Sequence, residues 1–293
     1  MVTMKIKRTK GEIVFDAAIY FFVGMISLAC LYPMLYVLFA SLSEPTRIMY
    51  HQGGLLWPLG FSLKGYEAVI GRQDVWTGYA NTLFYVTVGT SLNMVMTVMG
   101  TYVLSRRDFM FRKPLTMMFV FTMYFTGGTI PNFILVKSLG LLNTRWALIL
   151  PVAIGTWNML IMRTAFASVP SALEEAALID GANDLQILTK VILPVSKATL
   201  AVIFLFYAVG HWNSWFNALI YLPNERELFP LQLILREVLI SNSDYSSSEI
   251  SVDYLGESIR YAIIIVSTVP ILCIYPFIQK YFVKGVMMGS VKG

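Results

Sequence analysis

The sequence predicts an all-α integral membrane protein with six transmembrane helices. Three observations predict it. Of 293 residues, 57% are hydrophobic and 13% are charged, whereas a soluble domain holds about 45–50% apolar and about 25% charged residues. The apolar residues are gathered into blocks of the length that crosses a bilayer as a helix, about 20 residues. The charges fall between the blocks, with a sign bias that differs from loop to loop. A net charge of +5 would suggest nucleic acid in a soluble protein. Here it reads as lysine and arginine on cytoplasmic loops, so membrane lipid is the expected partner and nucleic acid is not.

The first twelve residues are basic through Lys5, Lys7, Arg8 and Lys10 and read as a cytoplasmic N-terminus. The first apolar block, Ile13–Leu42, is too long for a signal-peptide core and reads as a retained span. Ala80–Leu104 and Leu115–Val136 follow, the latter with an irregular point expected at Gly127-Gly128 and Pro131. Trp146–Phe166 is the weakest of the six, with Arg163 near its end placed to snorkel toward headgroups. Leu200–Leu222 and Tyr261–Phe282 complete the set. The transmembrane domain is thus 13–283, and 284–293 is a short tail.

Loop charge orients the chain. Arg106, Arg107, Arg112 and Lys113 lie between spans two and three, and Lys284 and Lys292 lie in the tail. Six spans put these with the basic N-terminus on the cytoplasmic side, so both termini are cytoplasmic. The loop 223–260 carries seven acidic and three basic residues and belongs outside. Its polar run SNSDYSSSE (241–249) reads either as a solvated connection or as part of a docking surface. The other outer loop, 43–79, is long and mixed. Cys30 and Cys273 lie within apolar runs and read as small buried hydrophobes. The sequence has no Cys/His cluster, so no metal site is expected.

Residues 171–194 are an unusually polar interruption, expected on the cytoplasmic side between spans four and five. Ser171-Ala-Leu-Glu174 has the form of a capping box after Pro170. It predicts a helix from Ala172 to about Asp180, ended by Gly181 in the left-handed conformation. Asn183 with Gln186 forms a second such box. Leu185, Leu188, Val191 and Ile192 share one face of the helix that follows, and Pro194 breaks or kinks the chain before span five.

This stretch carries a resemblance. Glu175-Ala176-Ala177, then Asp180-Gly181-Ala182, then Leu193-Pro194, with Gly181 six residues after Glu175 and Leu193 twelve after Gly181, resembles the EAA loop of ABC importer permeases. Trp212-Asn213 with Leu219-Ile220 resembles the WN…PL segment of the carbohydrate-importer branch, with Ala218 in place of its proline. The ending, Phe282-Val-Lys-Gly285 through Ser290, Val291, Lys292 and Gly293, is similar to the tail of the maltose permease G subunit and its relatives. Ala198 and Leu188 depart from the family, where proline and phenylalanine are usual.

The resemblance implies the type I importer permease fold, a place in the cytoplasmic membrane, and import of an oligosaccharide. The subgroup it is most similar to handles acidic oligosaccharides of the alginate or uronic-acid type. It implies a homologous second permease subunit, a dimer of ATP-binding subunits holding ATP and Mg, and an extracytoplasmic solute-binding protein. It also implies that Glu174, Glu175, Ala176, Ala177, Asp180, Gly181, Ala182, Leu193 and Pro194 make a coupling helix and turn seated on the ATPase. Small Ala176 and Ala177 would allow close approach, and Glu175 would offer a carboxylate to a basic group there. The tail, Ser290–Gly293, would reach toward the ATPase dimer.

The chain has no GxxxxGK[ST], no nucleophile elbow and no HExxH, so no catalytic residue is expected and energy must come from a partner. Polar and aromatic residues within spans are candidates for a translocation path: Asn81, Asn132, His211, Trp212, Asn213, Trp215 and Asn217. Polar groups are costly against lipid. They read first as interhelical hydrogen-bond partners and otherwise as lining for a sugar, with Trp212 and Trp215 to stack on its apolar ring faces. A neutral-sugar importer is the alternative within the family. A stand-alone secondary carrier is the alternative outside it, and would need buried ion-coupling groups, of which this chain offers His211 but no carboxylate pair.

Overall fold

A computed structural model describes the backbone of residues 9–106, 108–244 and 250–290, with side chains for all of these except 241–254, 275 and 277–290. Among the described residues the secondary structure is helical, and the single extended contact is an isolated bridge between Ser43 and Phe61. The chain forms two compact units, one of residues up to 71 with 239–266, the other of 72–238 with the remainder from 267.

The first unit opens with α1, Lys10–Ser41. Thr9 caps it: Glu12 N donates to Thr9 Oγ1 at 3.3 Å, and Thr9 N donates to the Glu12 carboxylate at 2.8 Å, which satisfies two of the donors a helix start leaves unpaired. Only Ala40 and Ser41 of this helix are buried. A helix apolar all round and bare along its length is stable only against lipid or another subunit. Cys30 lies on this bare surface, and Cys273 is also exposed on its own helix. Both therefore face outward rather than being buried as expected. The short α2 (Pro45–Met49) and α3 (Lys64–Ile70) fold back on the end of α1. Ala40, Ile48 and Leu55 form the core there, and the Ser41 hydroxyl meets the Tyr66 hydroxyl at 2.7 Å.

In the second unit α4 (Gln73–Phe84), a π-helical turn (85–89) and α5 (Thr90–Ser105) form one continuous rod. Then α6 (Arg112–Tyr124) and α7 (Thr129–Ser138) bend by 115° at the glycine pair. The expected irregular point is thus a sharp bend, well past a right angle. Span four is likewise divided: α8 (Trp146–Ile149) with the 3-10 turn 150–152 lies at 48° to α9 (Thr156–Ala167), because Pro151 donates no backbone hydrogen bond. After α10 (Ser171–Ile179) come α11 (Asp184–Ile187), a π turn (188–192) and α12 (Leu193–Val195), which meet α13 (Lys197–Trp212) at 86°.

Span five ends at Trp212, ten residues before the predicted Leu222. Both the Asn213 amide nitrogen at 3.1 Å and its backbone N–H at 3.0 Å donate to the Val209 carbonyl. A side chain competing for the ladder in this way closes the helix, and α14 (Phe216–Tyr221) restarts beyond the turn. The acidic loop 223–260 holds more order than its composition suggests. It contains α15 (Leu231–Asp244), and α16 (Ile250–Ser290) begins within it. Leu231, Leu233, Ile234 and Val238 of α15 are buried. The polar run 241–249 is helical to Asp244, and 245–249 lie outside the described residues. Among the described residues three helices qualify as spans by length and apolar character, and counting each bent pair as one brings the number to as many as six.

A polar stripe holds α5 to its neighbours. Asn93, Thr97 and Thr101 recur every four residues and are buried. They reach the Val152 carbonyl (2.5 Å), the Tyr207 hydroxyl (2.7 Å) and the Met159 carbonyl (3.4 Å). In lipid, where apolar contact does not drive helices together, such bonds and close packing do.

Candidate functional site

Two places gather the predicted site residues, and both belong to the second unit. The first is the segment 171–194. Helix α10 starts at Ser171 with no side-chain cap, so the stronger-looking box does not form. Ser171 is inside the helix rather than before it, and the Glu174 carboxylate is taken by Arg106 Nη1. The second box does form: Gln186 N to Asn183 Oδ1 and Asn183 N to Gln186 Oε1, each 2.9 Å. Between them, Ala182 N donates to Ala177 O (2.9 Å) and Gly181 N to Leu178 O (3.0 Å). These are the two bonds of a Schellman closure. Gly181, at φ +78°, takes the left-handed conformation that any side chain would strain.

The two faces of this helix–turn–helix differ. Ile187, Leu188 and Ile192 are buried with Met162, Phe166, Ile203 and Tyr207, and Ala177, Ala182 and Leu193 pack against the same cluster. Leu185, expected on that face, is 68% exposed. The π turn at 188–192 rotates the later residues onto the core in its place. On the outer face stand Glu175, Ala176, Asp180 and Pro194, with Leu178 and Ile179, the latter 86% exposed. Of the alanine pair expected to permit close approach, only Ala176 faces out.

Arg106, at the end of α5, pins α10 in place. Its guanidinium also donates to the Tyr102 hydroxyl and to Asp184 Oδ1 at 3.3 Å, and lies 4.5 Å over the Tyr102 ring. Desolvation opposes the Arg106 charge, but Tyr102, Glu174 and Asp184 together outweigh it and raise its pKa. A cavity of about 880 Å³ opens beside this cluster, lined by Arg106, Asp108, Phe109, Glu174, Glu175 and Leu178 among others. Sequence reasoning used Arg106 only as a loop charge.

The second place is a cavity of about 470 Å³ where α13 breaks off. His211, Asn213, Ser214, Trp215 and Asn217 line it together with Asn93, all polar or aromatic span residues the sequence pointed to, and with Gly155 and Tyr207, which it did not single out. Irregular backbone at membrane depth is tolerated where it borders a cavity, and the turn 213–215 does so. His211 Nε2 lies 2.7 Å from Asn93 Oδ1. Tyr207 accepts from Gly155 N at 3.0 Å.

Three predicted path residues lie elsewhere. Asn81 is buried and fully engaged, donating to Glu227 O (2.6 Å) and Phe229 O (3.2 Å) and accepting from Arg145 (3.0 Å), so it fastens a loop. Trp212 is buried beside Tyr79. Asn132 is exposed on α7. Ser290 closes α16 in the backbone alone, and Val291, Lys292 and Gly293 lie outside the described residues. Among the described residues, no group of three or more His, Cys, Asp or Glu is placed to hold a metal.

Residues 96–288 match the family model described as binding-protein-dependent transport system inner membrane component. The chain belongs to this family. This permease is 42% identical over 283 residues to the polygalacturonan/rhamnogalacturonan transport system permease protein YtcP of Bacillus subtilis (strain 168), covering 95% of this chain and 98% of that one. It is 37% identical over 291 residues to protein LplC of the same organism, covering 97% of each. Among solved structures it is similar, at TM-score 0.86 and 34% identity over 95% of this chain and 100% of the other, to a chain of a bacterial ABC transporter involved in the import of the acidic polysaccharide alginate. The permease is a membrane transport component of a sugar ABC importer, not an enzyme in its own right, and the all-helical fold is that of the type I importer permeases.

Proposed function

We propose that this permease carries an acidic oligosaccharide, of the uronic-acid type, across the cytoplasmic membrane by way of the cavity at the end of α13. Its exposed α10 face docks on an ATP-binding subunit. The observation that carries the docking is the two-faced helix–turn–helix. One face is packed into the core at Ile187, Leu188 and Ile192, while Ile179 on the other is 86% exposed. Together with exposed Leu173 and Leu178 on the same helix it forms a run of bare apolar side chains of the kind that supports a contact surface, and Glu175 on this helix offers a carboxylate to a basic partner group.

The acidic substrate is supported by the relatives named above, two of which handle polyuronides. The partners are a second permease, a pair of ATPases holding ATP and Mg, and an external binding protein. Residues 171–194 and both termini then face the cytoplasm. In the cycle, closure of the ATPases pulls on α10, and α10 moves α5 through Arg106. Asn93 of α5 touches His211 at the cavity, so the pull reaches the cavity through one rigid helix.

The test is uptake of oligogalacturonate into vesicles holding the reconstituted complex. Uptake should require ATP, the ATPase subunits and the binding protein together. Uptake by this chain alone, without ATPase and ATP, would mean a secondary carrier and overturn the reading.

A further inference from the structure

The 470 Å³ cavity holds no charged side chain in its lining. A path for an acidic sugar therefore draws its cation from beside that lining, and one stands against a lining residue. The guanidinium carbon of Arg236, on α15, lies 4.7 Å from the ring centroid of Trp215, and Trp215 is one of the wall residues.

We infer that Arg236, held over the ring of Trp215, recognises the carboxylate of the transported sugar. This rests on the acidic-substrate reading above. Stacking uses the face of a guanidinium and leaves its N–H donors at the edge, arranged in the fork that fits a carboxylate. Five other arginines of the same unit are committed to protein oxygens: Arg72 to Asp74, Arg106 to Glu174, Arg145 to Asn81, Arg163 to Leu104 O and Arg226 to Glu237. Arg236 is held by an aromatic ring instead. Its neighbour Glu237 pairs with Arg226 at 2.8 Å. Trp215, 36% exposed, adds an apolar surface suited to the C–H face of a sugar ring. One indole thus serves two purposes, as a stacking platform and as the seat of a cation.

The test compares ATP-driven uptake of trigalacturonate and of its neutral methyl ester by the full reconstituted complex. Arg236→Gln should raise the half-saturating concentration for the acid about tenfold or more, the loss of a charge-assisted hydrogen bond, and leave the ester unchanged. Arg236→Lys should retain part of the discrimination. Equal effects on both probes, or on neither, while the wild type carries the acid would overturn this assignment and leave the acidic reading standing. A wild type that carries only the ester overturns both. Should Arg236→Gln prevent assembly, Arg236→Lys and Trp215→Phe decide: an acid-selective loss supports the inference, and an unselective one ends it.

Discussion

His211 stands directly over Gly89. A Cβ placed on Gly89 would lie 2.5 Å from His211 Nε2, the atom that meets Asn93 Oδ1 at 2.7 Å. Because the Asn93 amide nitrogen already donates to Val152 O, its oxygen is the acceptor and His211 Nε2 carries the proton. The glycine makes room for that bond, and the bond sets the position of the cavity wall.

Gly89→Ala should therefore push the imidazole off Asn93 and destabilise the permease by about 1–3 kcal/mol, the range for overpacking a fitted interior. Thermal melting of the purified complex measures this. An unchanged midpoint together with unchanged uptake would show that the contact relaxes freely.

Arg106→Gln removes the charge that holds Glu174 and Asp184. The side chains of Arg106 and Glu174 are 19% and 22% exposed, so the pair sits between surface and interior. About 1.5 kcal/mol, the low end for a hydrogen bond to a charged group, should be lost. Substrate-stimulated ATPase activity should fall while basal hydrolysis continues. The exchange Arg106→Glu with Glu174→Arg should recover part of the stimulation. No recovery would mean that Arg106 acts through its other contacts.

Gly181→Val should strain the left-handed turn by about 1–2 kcal/mol and weaken co-purification of the ATPase subunits. Gly181→Asn should be the milder change, since asparagine visits this conformation. Equal retention of the ATPase by wild type and both variants would separate the turn from docking.

The two capping boxes make opposite predictions. Asn183→Ala should cost about 1 kcal/mol, as loss of an N-cap does. Ser171→Ala should be close to neutral, because its hydroxyl caps nothing. Paired melting curves test this, and a larger loss at Ser171 would reverse the assignment of the caps.

Much of this molecule was legible in the chain. Apolar blocks announced the spans, and the glycine pair at 127–128 announced the break in the third. Gly181 announced the turn after α10. The segment ending at Pro194 was recognisable because its spacing is a pattern along the chain. Other features were misread for identifiable reasons. The Ser171 box has the right letters, but a competing partner takes Glu174. Leu185 has the right spacing for a buried face, but a π turn changes the phase after it. The α15 helix was passed over because its loop was read by the acidic charge of the whole, although 231–240 is mostly apolar with only Arg236 and Glu237 charged.

Composition and short-range caps depend on residues near one another in the chain, so the order of letters alone gives membrane character and most of the helix punctuation. Pairings between distant residues are of another kind. Arg106 and Glu174 are separated by 68 positions, His211 and Asn93 by 118. Neither pair leaves a local signature, because each bond exists only once separate helices have packed side by side. Folding alone therefore chose which asparagine lines the cavity and which fastens a loop, and set Arg236 on the ring of Trp215.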